Sequence, residues 1–151
     1  MRVVIQRVSK ASVQVDSNLI SSISNGLLIL LGIENNDTND DINWLIKKIA
    51  NLRIFSDKND KMNYSVLDIN GDIIVVSQFT LHAKTKKGNR PSYINAAKPE
   101  IAIPLYEKFI NDLSLETGSS VYSGEFGANM QVTLTNDGPV TIIIDSKNKD
   151  L

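Results

Sequence analysis

Along the first fifteen residues, apolar and polar positions alternate with a period of two. Arg2 to Ser9 is rich in Val and Ile, and Ala11, Val13 and Val15 carry the alternation on, which predicts strand. Leu19 to Ile23 predicts another short strand. Asn25-Gly26 follows as a turn signal, because both residues accept positive φ, and leads into Leu27 to Ile33 (LLILLGI). That run is apolar throughout and predicts a strand buried on both faces. The period then changes. Thr38 is placed to cap a helix, with Asp41 three residues on, and Ile42, Leu45, Ile46 and Ile49 follow helical spacing. Leu52 to Phe55 reads as a short strand and SDKNDKMN as loop. Asn70-Gly71 is expected to close a hairpin and release Asp72 to Gln78 (DIIVVSQ) as strand. Pro99 suits the first turn of a second helix, whose stripe is Ile103, Leu105, Tyr106, Phe109, Ile110 and Leu113. Val121 to Glu125, Met130 to Thr135 and Val140 to Asp145 complete the strands. About eight strands and two main helices predict a single-domain α/β protein with a mixed layered fold.

Length and composition narrow this picture. With 151 residues and 42% hydrophobic content, the chain suits one domain with a real core. No repeat, low-complexity tract or linker divides it, so residues 1–146 are expected to form one catalytic domain and 147–151 a flexible tail. The absence of cysteine excludes disulfides and thiolate nucleophiles, and a single histidine, His82, excludes a multi-histidine metal site. No metal or other cofactor is expected. The N-terminus lacks the long apolar region of a signal peptide, and no apolar stretch is long enough to span a bilayer. The chain therefore reads as cytoplasmic, with no membrane partner. A net charge of −1 argues against wrapping long nucleic acid, DNA included, but not against gripping an end.

Three segments could carry chemistry. Ser77-Gln78-Phe79-Thr80-Leu81 ends the DIIVV strand and offers two hydroxyls, an amide and a stacking surface. Read as an ordinary strand end with a local turn, it would carry none. His82 invites a Thr80–His82 nucleophile–base pair if the strand continues, since 80 and 82 would share a face; a lone exposed histidine is more often surface. Next, Lys84, Lys86, Lys87 and Arg90 place four cations within seven residues, with Gly88 and Pro91 shaping the loop. A phosphate-bearing substrate needs such charge beside a site, although a solvated loop would look the same. Last, Asn136-Asp137-Gly138-Pro139-Val140-Thr141 lies between two apolar strands. It reads as a hairpin turn, or as main chain stripped of side-chain bulk that could approach a ligand.

Taken together, these residues resemble the D-aminoacyl-tRNA deacylases. The resemblance runs over nearly the whole chain, through VIQRVSKASV (4–13), SQFTL (77–81), GNRPSY (88–93), GEFGANMQV (124–132) and NDGPVT (136–141). SQFTL and the NxGPxT pattern, in that order and about 55 residues apart, are specific as a pair. The resemblance implies hydrolysis of the ester of D-aminoacyl-tRNA, with glycyl-tRNA mischarged on tRNA-Ala as a further substrate. It also implies a homodimer with its sites at the subunit interface. The Gly138-Pro139 peptide would be cis and would enter the partner's pocket, facing Ser77, Gln78, Phe79 and Thr80. Arg7 would support that loop, and Phe126 and Met130 would shape the pocket.

The chemistry such a site could perform remains open between two routes. Thr80 could attack the ester directly, but no convincing base accompanies it. Alternatively, a water positioned by main chain and by the substrate's own ribose hydroxyl attacks, with Thr80 and Gln78 organising the pocket. Rival readings are a non-catalytic RNA-binding module and an enzyme editing a small L-amino acid through a trans Gly-Pro.

Overall fold

A computed structural model describes all residues, 1–151. Its elements are β1 (Arg2–Val15), β2 (Asn18–Ile23), β3 (Gly26–Gly32), α1 (Asn39–Asn51), β4 (Phe55–Ser56), β5 (Met62–Tyr64), β6 (Asp72–Ser77), a 3-10 turn (Phe79–His82), α2 (Pro99–Thr117), β7 (Val121–Ser123) and β8 (Met130–Asp145). Six strands form the main sheet and β4 and β5 a small separate hairpin.

The long strand β1 organises the sheet. Antiparallel β8 runs along one of its edges, while the other is shared by β3 over residues 2–8 and β2 over residues 11–15. Strands β6 and β7 then add in parallel beyond β3. Along β3 and β6 the two faces bury different partners. Leu27, Ile29, Leu31, Ile73 and Val75 pack with Ile42, Leu45, Ile46 and Ile49 of α1 and with Tyr106, Phe109 and Leu113 of α2. Leu28, Ile74 and Val76 pack on the opposite face with Val8, Ala11, Val13 and Ile23. The sheet therefore curls until the far half of β1, with β2, covers its own centre, which gives helices, sheet and folded-over sheet as three layers. Burial on both sides explains the unbroken apolar run of β3.

Both helices begin as expected. The Thr38 hydroxyl accepts from Asp40 N–H, and the Asp41 carboxylate accepts from Thr38 N–H at 2.8 Å. Pro99 stands in the first turn of α2, and Gly118 ends it at φ +66°.

Three turn assignments change. Asn25-Gly26 makes no hairpin, because β3 pairs with β1 and β6 and not with β2. Gly26 is needed for another reason: a Cβ there would lie 1.8 Å from the Asp72 carbonyl oxygen, so the entry of β3 beside β6 excludes any side chain. The positive-φ pair that joins β1 to β2 is Asp16-Ser17, at +48° and +66°. Asn70 does adopt φ +50°, but β6 enters the sheet parallel to β3, so Asn70-Gly71 closes no hairpin. Part of the expected 56–63 loop is itself strand, pairing Phe55–Ser56 with Met62–Tyr64.

Candidate active site

Strand β6 delivers Ser77 to the edge of a cavity of about 290 Å³. Ser77, Gln78 and Phe79 line it, together with Leu31 from β3, Ala97, Ala102 from α2, and Phe126, Ala128 and Met130 from the last third of the chain. None of the 13 lining residues carries a titratable side chain. Below them, Tyr106 meets Phe126 at 5.6 Å between ring centroids and donates its hydroxyl to the Val75 carbonyl at 2.7 Å. Burial pushes that phenol up to about 12, against the hydrogen bonds that would lower it, so it remains a donor.

At Gln78 the backbone leaves the strand and turns into the 3-10 segment. The side chains of Gln78 and Thr80 are joined there, Nε2 donating to Oγ1. The first bond closing the turn runs from Leu81 N–H to the Gln78 carbonyl, so the ladder of the turn does not use the Phe79 and Thr80 amides. Phe79 is 54% exposed and stands edge-on to Tyr93, with ring centroids 4.9 Å apart.

His82 does not behave as a surface residue. It is 5% exposed, its Nδ1 sits 3.1 Å from Glu34 Oε1, and its Nε2 is buried without a partner. A 3-10 turn, rather than a continuing strand, carries residues 79–82, so the face-sharing that would align Thr80 with His82 does not arise. Thr80 Oγ1 is held by Gln78 and His82 Nδ1 by Glu34, which leaves no Thr–His pair.

Lys84, Lys86, Lys87 and Arg90 are exposed, and none forms an ion pair. Backbone bonds of 2.8 and 3.0 Å between Lys84 and Ser92 close this loop just beyond the 3-10 turn. The Phe79–Tyr93 contact ties its base to the rim of the cavity.

The Gly138-Pro139 segment is not a hairpin turn. Residues 130–135 and 141–145 pair with the same strand, so β8 is one 16-residue strand with an excursion in it. Gln6 pairs with Thr141 and Val8 with Asn136, which leaves residues 137–140 as a bulge opposite Arg7, with Asp137, Gly138 and Pro139 exposed and Val140 packed into the core. Two bonds close the bulge: Val140 N–H to Asn136 Oδ1 at 2.8 Å, and Asn136 Nδ2 to Thr141 Oγ1 at 2.9 Å. Arg7, 8% exposed, donates Nε to the Asp137 carbonyl at 2.9 Å and Nη1 to the Ile54 carbonyl at 2.6 Å. The Gly138-Pro139 peptide is cis, and both residues face outward. Gly138 has φ +139°, and a Cβ there would meet Val140 Cγ2 at 2.7 Å and Arg7 Nη2 at 3.0 Å.

Within one chain, then, Ser77, Gln78, Phe79, Phe126 and Met130 come together around the cavity, with Thr80 bonded to Gln78. Arg7, Gly138 and Pro139 form a second assembly that contributes nothing to that lining. Sequence reasoning missed Leu31, Val76, Ala97 and Ala102 as lining residues. Apolar and small side chains carry no chemical signal apart from packing. No group of three or more His, Cys, Asp or Glu side chains is placed to hold a metal ion, and no helix is long and apolar enough to cross a membrane.

Known proteins provide a further constraint. The family model described as D-Tyr-tRNA(Tyr) deacylase matches residues 4–145. A protein of Flavobacterium psychrophilum called D-aminoacyl-tRNA deacylase is 68% identical over 150 residues, 99% of this chain and all of its own. One of Bacteroides fragilis with the same name is 65% identical over the same spans. Among solved structures, that of a c-Myc DNA unwinding element binding protein superposes with a TM-score of 0.90 at 41% identity, over 96% of this chain and 98% of its own. A probable eukaryotic D-amino acid tRNA deacylase shares the fold at a TM-score of 0.82 and 16% identity, over 95% and 97%. From the span of the family match and the identity of these full-length relatives, the chain belongs to the D-Tyr-tRNA(Tyr) deacylase family.

Proposed function

We propose that this chain hydrolyses the ester between a D-amino acid and the 3′-terminal adenosine of tRNA, in the cytoplasm and as a homodimer. The observation that carries the reading, beside family membership, is a substrate-sized cavity with no titratable lining, rimmed by a turn whose leading amides lie outside its own hydrogen-bond ladder. Such a site suits an ester that is already labile and needs positioning more than acid–base chemistry. Main-chain N–H groups near Phe79 and Thr80 stabilise the developing oxyanion, each worth roughly 3 kcal/mol when well aimed. A water attacks the carbonyl carbon, the acyl–oxygen bond to the ribose breaks, and the ribose oxygen leaves as a hydroxyl, carrying the proton that the attacking water gives up. Thr80, held by Gln78 and without a base, shapes the pocket rather than attacking.

Chirality is read by the other assembly. The bulge at Gly138-Pro139 enters the partner's cavity, where its carbonyls occupy the space an L side chain would need, while a D side chain points outward. Arg7 holds the bulge in place, and Phe126 and Met130 complete the pocket wall. Glycine has no side chain to exclude, so glycyl-tRNA mischarged on tRNA-Ala is also a substrate. Lys84, Lys86, Lys87 and Arg90 take the phosphates of the acceptor end. The test is release of amino acid from matched D- and L-aminoacyl-tRNA, with the oligomeric state measured by light scattering. Turnover of D but not L substrate by a dimer is expected. Binding of tRNA without release of any amino acid would leave a non-catalytic RNA-binding module instead.

A further inference from the structure

Helix α1 carries a second stripe, opposite in character to its buried one. Trp44, Lys47, Lys48 and Asn51 stand at positions i, i+3, i+4 and i+7, on one face. With Leu52 and Arg53 they line a shallow groove that contains no carboxylate. Lys48 Nζ lies 5.8 Å from the centre of the Trp44 ring and Lys149 Nζ, arriving from the C-terminal end of the chain, 4.9 Å. None of Lys47, Lys48, Arg53 and Lys149 has an acidic group within ion-pairing distance. The dipole of α1 favours cations in its last turn and accounts for Lys48. It does not account for Lys149, which arrives from the C-terminal end of the chain and converges on the same half-buried indole. In a chain of net charge −1, this concentration of unpaired positive charge is a local feature.

We propose that the Trp44 face is a docking surface for the phosphodiester backbone of the tRNA, separate from the cavity and from the 84–90 loop. Lysine ammonium groups and the Arg53 guanidinium meet the phosphates, and the indole packs against a ribose or base face. Its position fits the substrate reading above, on which it rests for the identity of the RNA. Arg53 precedes Ile54, whose carbonyl is held by Arg7, and Arg7 braces the Gly138-Pro139 bulge. The groove residue Arg53 is therefore next in the chain to the segment that Arg7 ties to the bulge.

Trp44 is the only tryptophan in the chain and reports on its own surface. Titration with uncharged tRNA is expected to quench its emission to saturation, with an affinity that falls steeply as salt rises. In the triple variant Lys47→Ala/Lys48→Ala/Lys149→Ala, the slope of log Kd against log salt should shrink by about 2 to 3. At low salt, KM for D-aminoacyl-tRNA should rise about tenfold while kcat holds. Hydrolysis of D-aminoacyl-adenosine, which has no RNA body, should be unchanged. The corresponding triple Lys→Arg variant keeps the charges and should behave as wild type. Unaltered emission at saturating tRNA, or an unaltered salt slope and KM in the alanine variant, overturns the docking surface. Quenching that saturates without turnover of either substrate instead overturns the deacylase reading and leaves the docking surface standing.

Discussion

The cavity below the 3-10 turn and the bulge opposite Arg7 are the two candidate halves of one site, and they are held in different ways. The cavity is cut into the apolar core. Its floor comes from β3 and β6, whose side chains are packed on both faces, and Ala97 and Ala102 leave the space by being small. The bulge stands on the surface, and its shape depends on hydrogen bonds: two from within the loop and one from a buried guanidinium. One half is rigid because dense packing leaves it nowhere to go. The other is held by those few bonds, of which only Arg7, bonded at both ends, ties it to the segment at Ile54. A single substitution should therefore damage the bulge outright, whereas the cavity should tolerate loss of a polar group and fail only when its volume is taken away.

Arg7→Ala should have the largest effect. It strands the Ile54 carbonyl and releases the Asp137 carbonyl, at a cost of about 3 kcal/mol in urea unfolding. In whatever fraction remains folded, discrimination between D- and L-aminoacyl-tRNA should collapse. An undiminished D/L ratio of kcat/KM would show that the bulge does not depend on this brace. Ala128→Phe attacks the other half. Filling the cavity should lower kcat/KM by about 100-fold, with a far smaller loss of stability than Arg7→Ala. If activity and stability fell in proportion, the cavity would be structural and not a binding site.

Acid provides a control at a group that belongs to neither half. Burial pushes the Asp41 carboxyl up, but hydrogen bonds from Lys147, Ser146 and the Thr38 amide, with the charge of Lys147, outweigh it and hold the group at about 2. Its folded value lies below the unfolded 3.8, so the stabilisation is present in full above about pH 4 and is lost as pH falls towards 2. About 2 kcal/mol should disappear over that window, and Asp41→Asn should flatten that part of the stability curve. Thr80→Ala should do least. With its hydroxyl bonded to Gln78 and no base beside it, loss of the group should lower kcat less than tenfold. Complete loss in a folded protein, with an acyl-enzyme trapped in the wild type, would make Thr80 the nucleophile after all.

Much of the fold was legible because local rules and tertiary demands agree. The capping box at Thr38, the helical stripes of α1 and α2 and the doubly buried β3 follow from spacing alone, since each places its apolar groups where a core can use them. Turns were less legible. Asn-Gly announces tolerance of unusual φ but not the reason for it, and at Gly26 the reason is the Asp72 backbone 46 positions away. The lone histidine misled in the same way: burial and a carboxylate partner at Glu34 come from chain segments that no pattern around residue 82 foretells.

By itself, then, the sequence determined the two helices and most of the strands, the apolar faces they bury, the single domain and, through SQFTL and NDGPVT, the family resemblance. These depend on periodicity and residue type, which are local. Only the tertiary structure decided that 130–145 is one strand with an outward bulge, because that turns on both flanks pairing with β1. It also decided that Arg7 spans Ile54 and Asp137, and that the cavity residues and the Gly138-Pro139 bulge form two assemblies within a chain. Each of these depends on contacts between residues far apart in sequence, whose geometry is set by the curl of the sheet and not by any neighbour along the chain.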